Sequence, residues 1–78
     1  MDAWERQRDL MTLKIAGVDA DLVEIEALAE DARLFHDSVL QERARYLRAH
    51  VESKRVQYQE ALDAAIAHCG EVRAILAD

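Results

Sequence analysis

The sequence predicts an all-α chain folded as an antiparallel hairpin of two helices, with the turn near residues 36–38. Three observations carry that prediction. Proline is absent, glycine occurs twice and aromatics are 5% of the residues, so the turn-rich and aromatic-rich make-up of small sandwiches and barrels is missing. Apolar residues recur at helical spacing in two stripes whose phase slips between them. A purely acidic segment is followed by a basic one, as two antiparallel neighbours would require.

The first helix is read from Met11, Ile15, Val18, Leu22, Ile25, Ala29 and Ala32, which step by alternating threes and fours and so share one helix face. Continuing that count brings His36, Val39, Arg43 and Tyr46 into the seam, while the apolar residues have moved to Leu40, Ala44 and Leu47. The slip marks a break at residues 36–40. There Ser38, followed three residues later by Gln41, fits a capping box that opens a new helix. Gly17 with Asp21 and Glu24, and Ser53 before Lys54, are minor alternative breaks, because neither interrupts an apolar stripe as clearly. The second helix follows from Leu40, Ala44, Leu47 and Val51, leading into Tyr58, Leu62, Ala65, Cys69, Val72 and Leu76, with Ile66 and Ile75 widening the stripe.

Charge fixes the register. Residues 16–32 hold Asp19, Asp21, Glu24, Glu26, Glu30 and Asp31 and no base, whereas residues 33–55 hold Arg33, Arg43, Arg45, Arg48, Lys54 and Arg55 against three acids. With a reversal at residue 37, facing residues carry numbers that add to about 74. Asp31 then lies beside Arg43, Glu26 beside Arg48, and Asp19 and Asp21 beside Lys54 and Arg55. The same register brings Val18 to Val56, Ile15 to Tyr58, and Trp4 to the neighbourhood of Cys69.

Such a hairpin, a single domain over residues 1–78, is a rod that buries only one seam, which is too little to offset the ordering of the chain. A second layer is expected, supplied by a second copy in a four-helix bundle or by another helical protein. The residues expected to form the partner-binding seams are Met11, Ile15, Val18, Leu22, Ile25 and Leu28 on the first helix. On the second they are Leu47, Val51, Tyr58, Leu62, Ile66, Val72, Ile75 and Leu76. A net charge of −6 argues against nucleic acid and anionic membrane as partners. One cysteine, Cys69, cannot form an internal disulfide, and no signal-type apolar run or membrane-length stretch is present, so a cytoplasmic protein is expected.

Chemistry is sparse. His68 and Cys69 are metal-ligand types, but adjacent helical positions point about 100° apart and no further ligand completes a set. Ser38 and Ser53 are better explained as helix caps than as nucleophiles, and Glu24 and Glu26 fall on different helix faces. No cofactor, no metal and no enzyme activity are expected. The cluster Arg43, Arg45, Arg48 is read as paired within the chain rather than bound to phosphate.

Three resemblances add to this reading. His36-Asp37-Ser38-Val39-Leu40-Gln41, with Arg33 before it, resembles the phosphoacceptor box of the sensor-kinase subfamily that includes nitrate-responsive kinases. Glu71-Val72-Arg73-Ala74-Ile75-Leu76 resembles the end of that family's second helix. The resemblance implies a phosphotransfer and dimerisation module with His36 as phosphoacceptor on a helix that continues to a turn near Ser53. The chain departs from the family in the spacing of the two boxes and in having Ala27 and Leu28 where charged residues usually precede the histidine. Gln57-Tyr58-Gln59 through Ala61-Leu62-Asp63-Ala64-Ala65-Ile66 is similar to the second helix of small acidic chaperones of bacterial type III secretion needles, which implies a chaperone-like role. Val18-Asp19-Ala20-Asp21-Leu22-Val23 resembles the first helix of helical chorismate mutases, but the arginines that family uses for its dicarboxylate have no counterpart here. A non-catalytic helix-binding protein, an adaptor, assembly subunit or chaperone, is the expected function, with phosphotransfer through His36 as the alternative.

Overall fold

The protein is described by a computed structural model covering the backbone of residues 2–77, with the side chains of Val72, Ala74 and Ala77 left out of the description. Helix α1 spans Ala3–Leu34 and helix α2 spans Ser38–Ala77, packed against each other as a hairpin. The result is a rod 63 Å long and 16 × 13 Å across.

α1 opens on Asp2, whose carboxylate accepts a hydrogen bond from the Glu5 backbone N–H at 2.8 Å and so satisfies one of the free donors at the helix start. It runs without a break through Gly17, where no neighbouring atom lies within 4 Å of a Cβ added there. Its end is built by three residues. The His36 N–H bonds the Arg33 carbonyl at 3.2 Å and the Asp37 N–H bonds the Ala32 carbonyl at 2.9 Å, while His36 takes a positive φ of 54°. This is a complete Schellman ending with histidine at the left-handed position usually given to glycine.

Asp37 then serves the second helix. Its Oδ1 accepts the Leu40 N–H at 3.0 Å and its carbonyl accepts the Gln41 N–H at 3.0 Å, so the N-cap of α2 is Asp37 and not the expected Ser38. Ser38 is the first helical residue, and the Gln41 side chain reaches across to the Ala32 carbonyl at 3.4 Å instead of closing a capping box. The turn is where the phase slip put it. α2 passes through Ser53 without interruption, so neither alternative break exists.

The seam is thin. Its buried residues are Met11, Ile15, Val18, Ile25 and Ala32 from α1, and Ala44, Ala65 and Cys69 from α2, and among the described residues no large side chain is fully buried. Ala32 and Ala44 near the turn and Ala65 toward the far end, each at most 3% exposed, leave room for close approach of the helices at two levels. Between those levels the inward positions of α2 hold Arg48 and Arg55 as well as Val51, Tyr58 and Leu62, all half-buried. Val56, expected to meet Val18, is instead 57% exposed, because Arg55 and Tyr58 occupy the inward positions on either side of it.

Candidate interaction surface

Residues two apart on a helix point about 200° from one another, so Asp19 and Asp21, or Glu26 and Leu28, flank the α1 seam on opposite sides. The two sides of the hairpin are finished differently. On one, Arg55 donates from Nε to Asp19 Oδ1 at 2.7 Å, and Arg48 pairs with Glu26. Both pairs join α1 to α2 in the register that the charge blocks predict. The hydrogen bond from Arg55 holds the Asp19 carboxyl below its ordinary range and raises the Arg55 guanidinium. Arg48 Nε is buried with no hydrogen-bond partner. Toward the turn this side forms a shallow basic hollow lined by Ala29, Gln41 and Ala44 and by Arg33, Arg45 and Arg48. Arg33 and Arg45 pair along their own helices with Glu30 and Glu42, and no ion pair among the described residues joins Asp31 to Arg43.

The other side has no such cover. Ile25, Leu28, Leu47 and Val51 line an open groove of about 400 Å³ whose α1 rim carries Asp21 and Glu24. Leu28, Leu47 and Val51 are half-buried there, and Leu22 is half-buried one turn before Ile25. Beyond the groove, the Lys14 ammonium stands 5.3 Å from the centre of the Tyr58 ring.

The remaining seam candidates divide by position. Met11, Ile15, Val18 and Ile25 are buried between the helices, and Tyr58 and Leu62 are half-buried. Ile66 is 50% exposed, since Ala65 and Cys69 take the inward positions around it. Ile75 and Leu76, 73% and 79% exposed, lie where α2 has outrun α1. The side chain of Val72 lies outside the described residues. At this end Trp4 stacks on His68, ring centres 4.1 Å apart and 13° from parallel, which brings Trp4 to the level of Cys69. Cys69 itself is buried and unpaired.

His36 is an exposed turn residue, so the continuous helix implied by the phosphoacceptor resemblance is interrupted where that resemblance is strongest. His50 is exposed and lies near-parallel to Tyr46, ring centres 6.3 Å apart, and His68 Nδ1 is 3.5 Å from Glu71. Among the described residues no three His, Cys, Asp or Glu side chains are grouped to hold a metal ion, and no helix is long and apolar enough to cross a membrane. No protein-family model, curated protein or solved structure matches this chain.

Sequence reasoning missed the sidedness. Its signal is present in the two-residue offsets: acids at 19 and 26 face arginines at 55 and 48, whereas residues 28 and 47, at the level of the second pair, are leucines. A count of apolar stripes alone does not separate the two sides, because Arg48 and Arg55 sit within the α2 stripe.

Proposed function

We propose that the chain is a non-catalytic helical interaction protein, an adaptor, assembly subunit or chaperone-like protein, that receives a helix in the groove bounded by Ile25, Leu28, Leu47 and Val51. One observation carries the reading. The hairpin closes one side with cross-helix ion pairs and leaves aliphatic side chains half-covered on the other. A groove between two parallel-running ridges accepts the apolar stripe of a third helix, and the carboxylates of Asp21 and Glu24 on its rim favour an incoming helix with basic flanks. The thinness of the seam supports the same reading, since no large side chain among the described residues is fully shielded until a further layer covers it. The unpaired Cys69 fits a reducing compartment such as the cytoplasm.

The test follows the methyl NMR signals of Ile25, Leu28, Leu47 and Val51. In one series the protein is concentrated from micromolar to millimolar, and in the other a peptide helix with a leucine stripe and lysine flanks is added. Shifts concentrated at these four residues in either series are expected. Neither series moving them would defeat the reading.

A further inference from the structure

We propose that the occupant of the groove is a second copy of this chain, in an isologous dimer whose twofold axis runs parallel to the helices. Each α1 then lies over the α2 of the other copy, and both turns are at the same end. This rests on the helix-binding reading above and goes on to name the partner and the geometry.

The exposed area is large for the mass. A compact monomer of 8.9 kDa exposes about 4,800 Å² on the usual scaling with mass, and this chain exposes 5824 Å². The excess, about 1,000 Å², is enough to supply the roughly 800 Å² that one partner commonly contributes to a stable interface.

The two rims of the groove carry opposite charge. Positions seven apart run along one line of a helix in such a bundle, so Asp21 continues the line of Leu28, and Asp31 that of Glu24. Lys54 likewise continues the line of Leu47, and His50 that of Arg43. The α1 rim of the groove is therefore acidic and the α2 rim basic. Asp21, Asp31, Arg43 and Lys54 are all exposed, and none belongs to an ion pair among the described residues.

Symmetry then selects the arrangement. A twofold axis perpendicular to the helices and lying in the interface stacks α1 on α1, acid on acid. A twofold axis parallel to the helices stacks α1 on α2, acid on base, twice. A parallel twofold also forbids any slide along the rod, so the hairpin's own register carries over to the interface. Asp31 meets Arg43 of the second copy, Asp21 meets Lys54 of the second copy, and Leu28 meets Leu47 of the second copy. The cross-helix pairs expected of Asp31 and Asp21 but not formed within the chain are thus made between chains.

Sedimentation equilibrium of the full chain at moderate salt tests the proposal with two charge-reversed proteins. One carries Asp21→Lys and Asp31→Lys, the other Arg43→Glu and Lys54→Glu. Circular dichroism checks that each stays helical. The wild type is expected to dimerise, each reversed protein to dimerise at least about tenfold more weakly, and the equimolar mixture to recover near-wild-type affinity as a heterodimer. Spin labels at Leu10→Cys and, separately, at Phe35→Cys in a Cys69→Ala background then fix the direction. A parallel twofold places both like-labelled pairs within about 30 Å, because each pair sits at one level of a bundle with helices about 10 Å apart. With opposed rods, one of the two distances exceeds about 35 Å whatever the stagger, on the 1.5 Å rise per residue. A wild type that stays monomeric at millimolar concentration while its groove methyls respond to the peptide would overturn the dimer and leave the helix-binding reading standing. A dimer indifferent to both reversals, or one with a long label distance, would overturn the geometry.

Discussion

The two long sides of the hairpin share the same seam and differ in what borders it. On one side Asp19 and Glu26 reach across to Arg55 and Arg48; on the other Leu28 and Leu47 face each other over an open groove. The charged side gives register at little gain in stability, since exposed ion pairs contribute little and the buried Arg48 Nε is left without a partner. The apolar side gives no register but holds the surface that further burial would stabilise. A charge in place of Leu28 or Leu47 would have to be desolvated on docking, whereas Asp21 and Glu24 on the rim stay exposed, and a leucine placed among the arginines would not tell one register from the next.

The largest expected effect separates the seam from the groove. Ile25 is buried and also lines the groove, whereas Leu47 is half-buried and lines the groove alone. Ile25→Ala should destabilise the hairpin by about 2–3 kcal/mol, the lower part of the range for truncating a buried aliphatic, because a thin seam can partly collapse on the void. Leu47→Ala should cost the fold clearly less and weaken association more. Denaturant titrations at two protein concentrations give both numbers. Equal losses from the two variants at low concentration would break the distinction between seam and groove.

The turn lies outside both sides and shows how far a sequence reading reaches. Its position was legible, because the apolar stripe fails between Ala32 and Leu40 whatever the turn's details. The register was legible too, and the pairs Glu26 with Arg48 and Asp19 with Arg55 bear it out. The cap was not, since Asp37 and Ser38 are adjacent and equally suited to capping, and only backbone geometry decides between them. The structure gives that role to Asp37 and puts His36 in the left-handed region, where any side chain but glycine is strained. Asp37→Ala should therefore cost about 1 kcal/mol and Ser38→Ala much less, while His36→Gly should gain about 1 kcal/mol. Thermal melts of the three variants check this. A loss from Ser38→Ala larger than that from Asp37→Ala would return the cap to Ser38, and a loss from His36→Gly would remove the Schellman ending.

A smaller effect provides a control for both sides. Gly17 and Gly70 are helical, and nothing lies within 4 Å of a Cβ added at either. Gly17→Ala and Gly70→Ala should each stabilise the fold by about 0.5–1 kcal/mol through the unfolded chain alone. Neither should alter the groove's affinity beyond that. A change in association at constant hairpin stability would mean that a glycine line, and not the aliphatic groove, is the contact surface.

The smallest effect belongs to the charged side and has a definite sign. Arg55, by donating to Asp19, holds the Asp19 carboxyl below its ordinary range in the folded chain, whereas in the unfolded chain it titrates near the usual value of about 3.9. Above that value both states carry the ionised carboxylate, and the pair's contribution is fully present. As pH falls through the folded-state value, the folded chain takes up the proton as well, and the contribution is lost. Wild type and Asp19→Asn should thus differ at neutral pH and converge in strong acid, and high salt should narrow the gap above the folded-state value because Asp19 is exposed and Arg55 only half-buried. Arg55→Gln should behave like Asp19→Asn, and the double variant should be no worse than either, since the two residues serve one interaction. Leu28 and Leu47 make no ion pair, so at low protein concentration, where association does not contribute, the Leu47→Ala loss in hairpin stability should be independent of pH over the same interval. If instead the Leu47→Ala loss followed the Asp19 titration, the two sides would be coupled through the seam, and the division of labour between them would not hold.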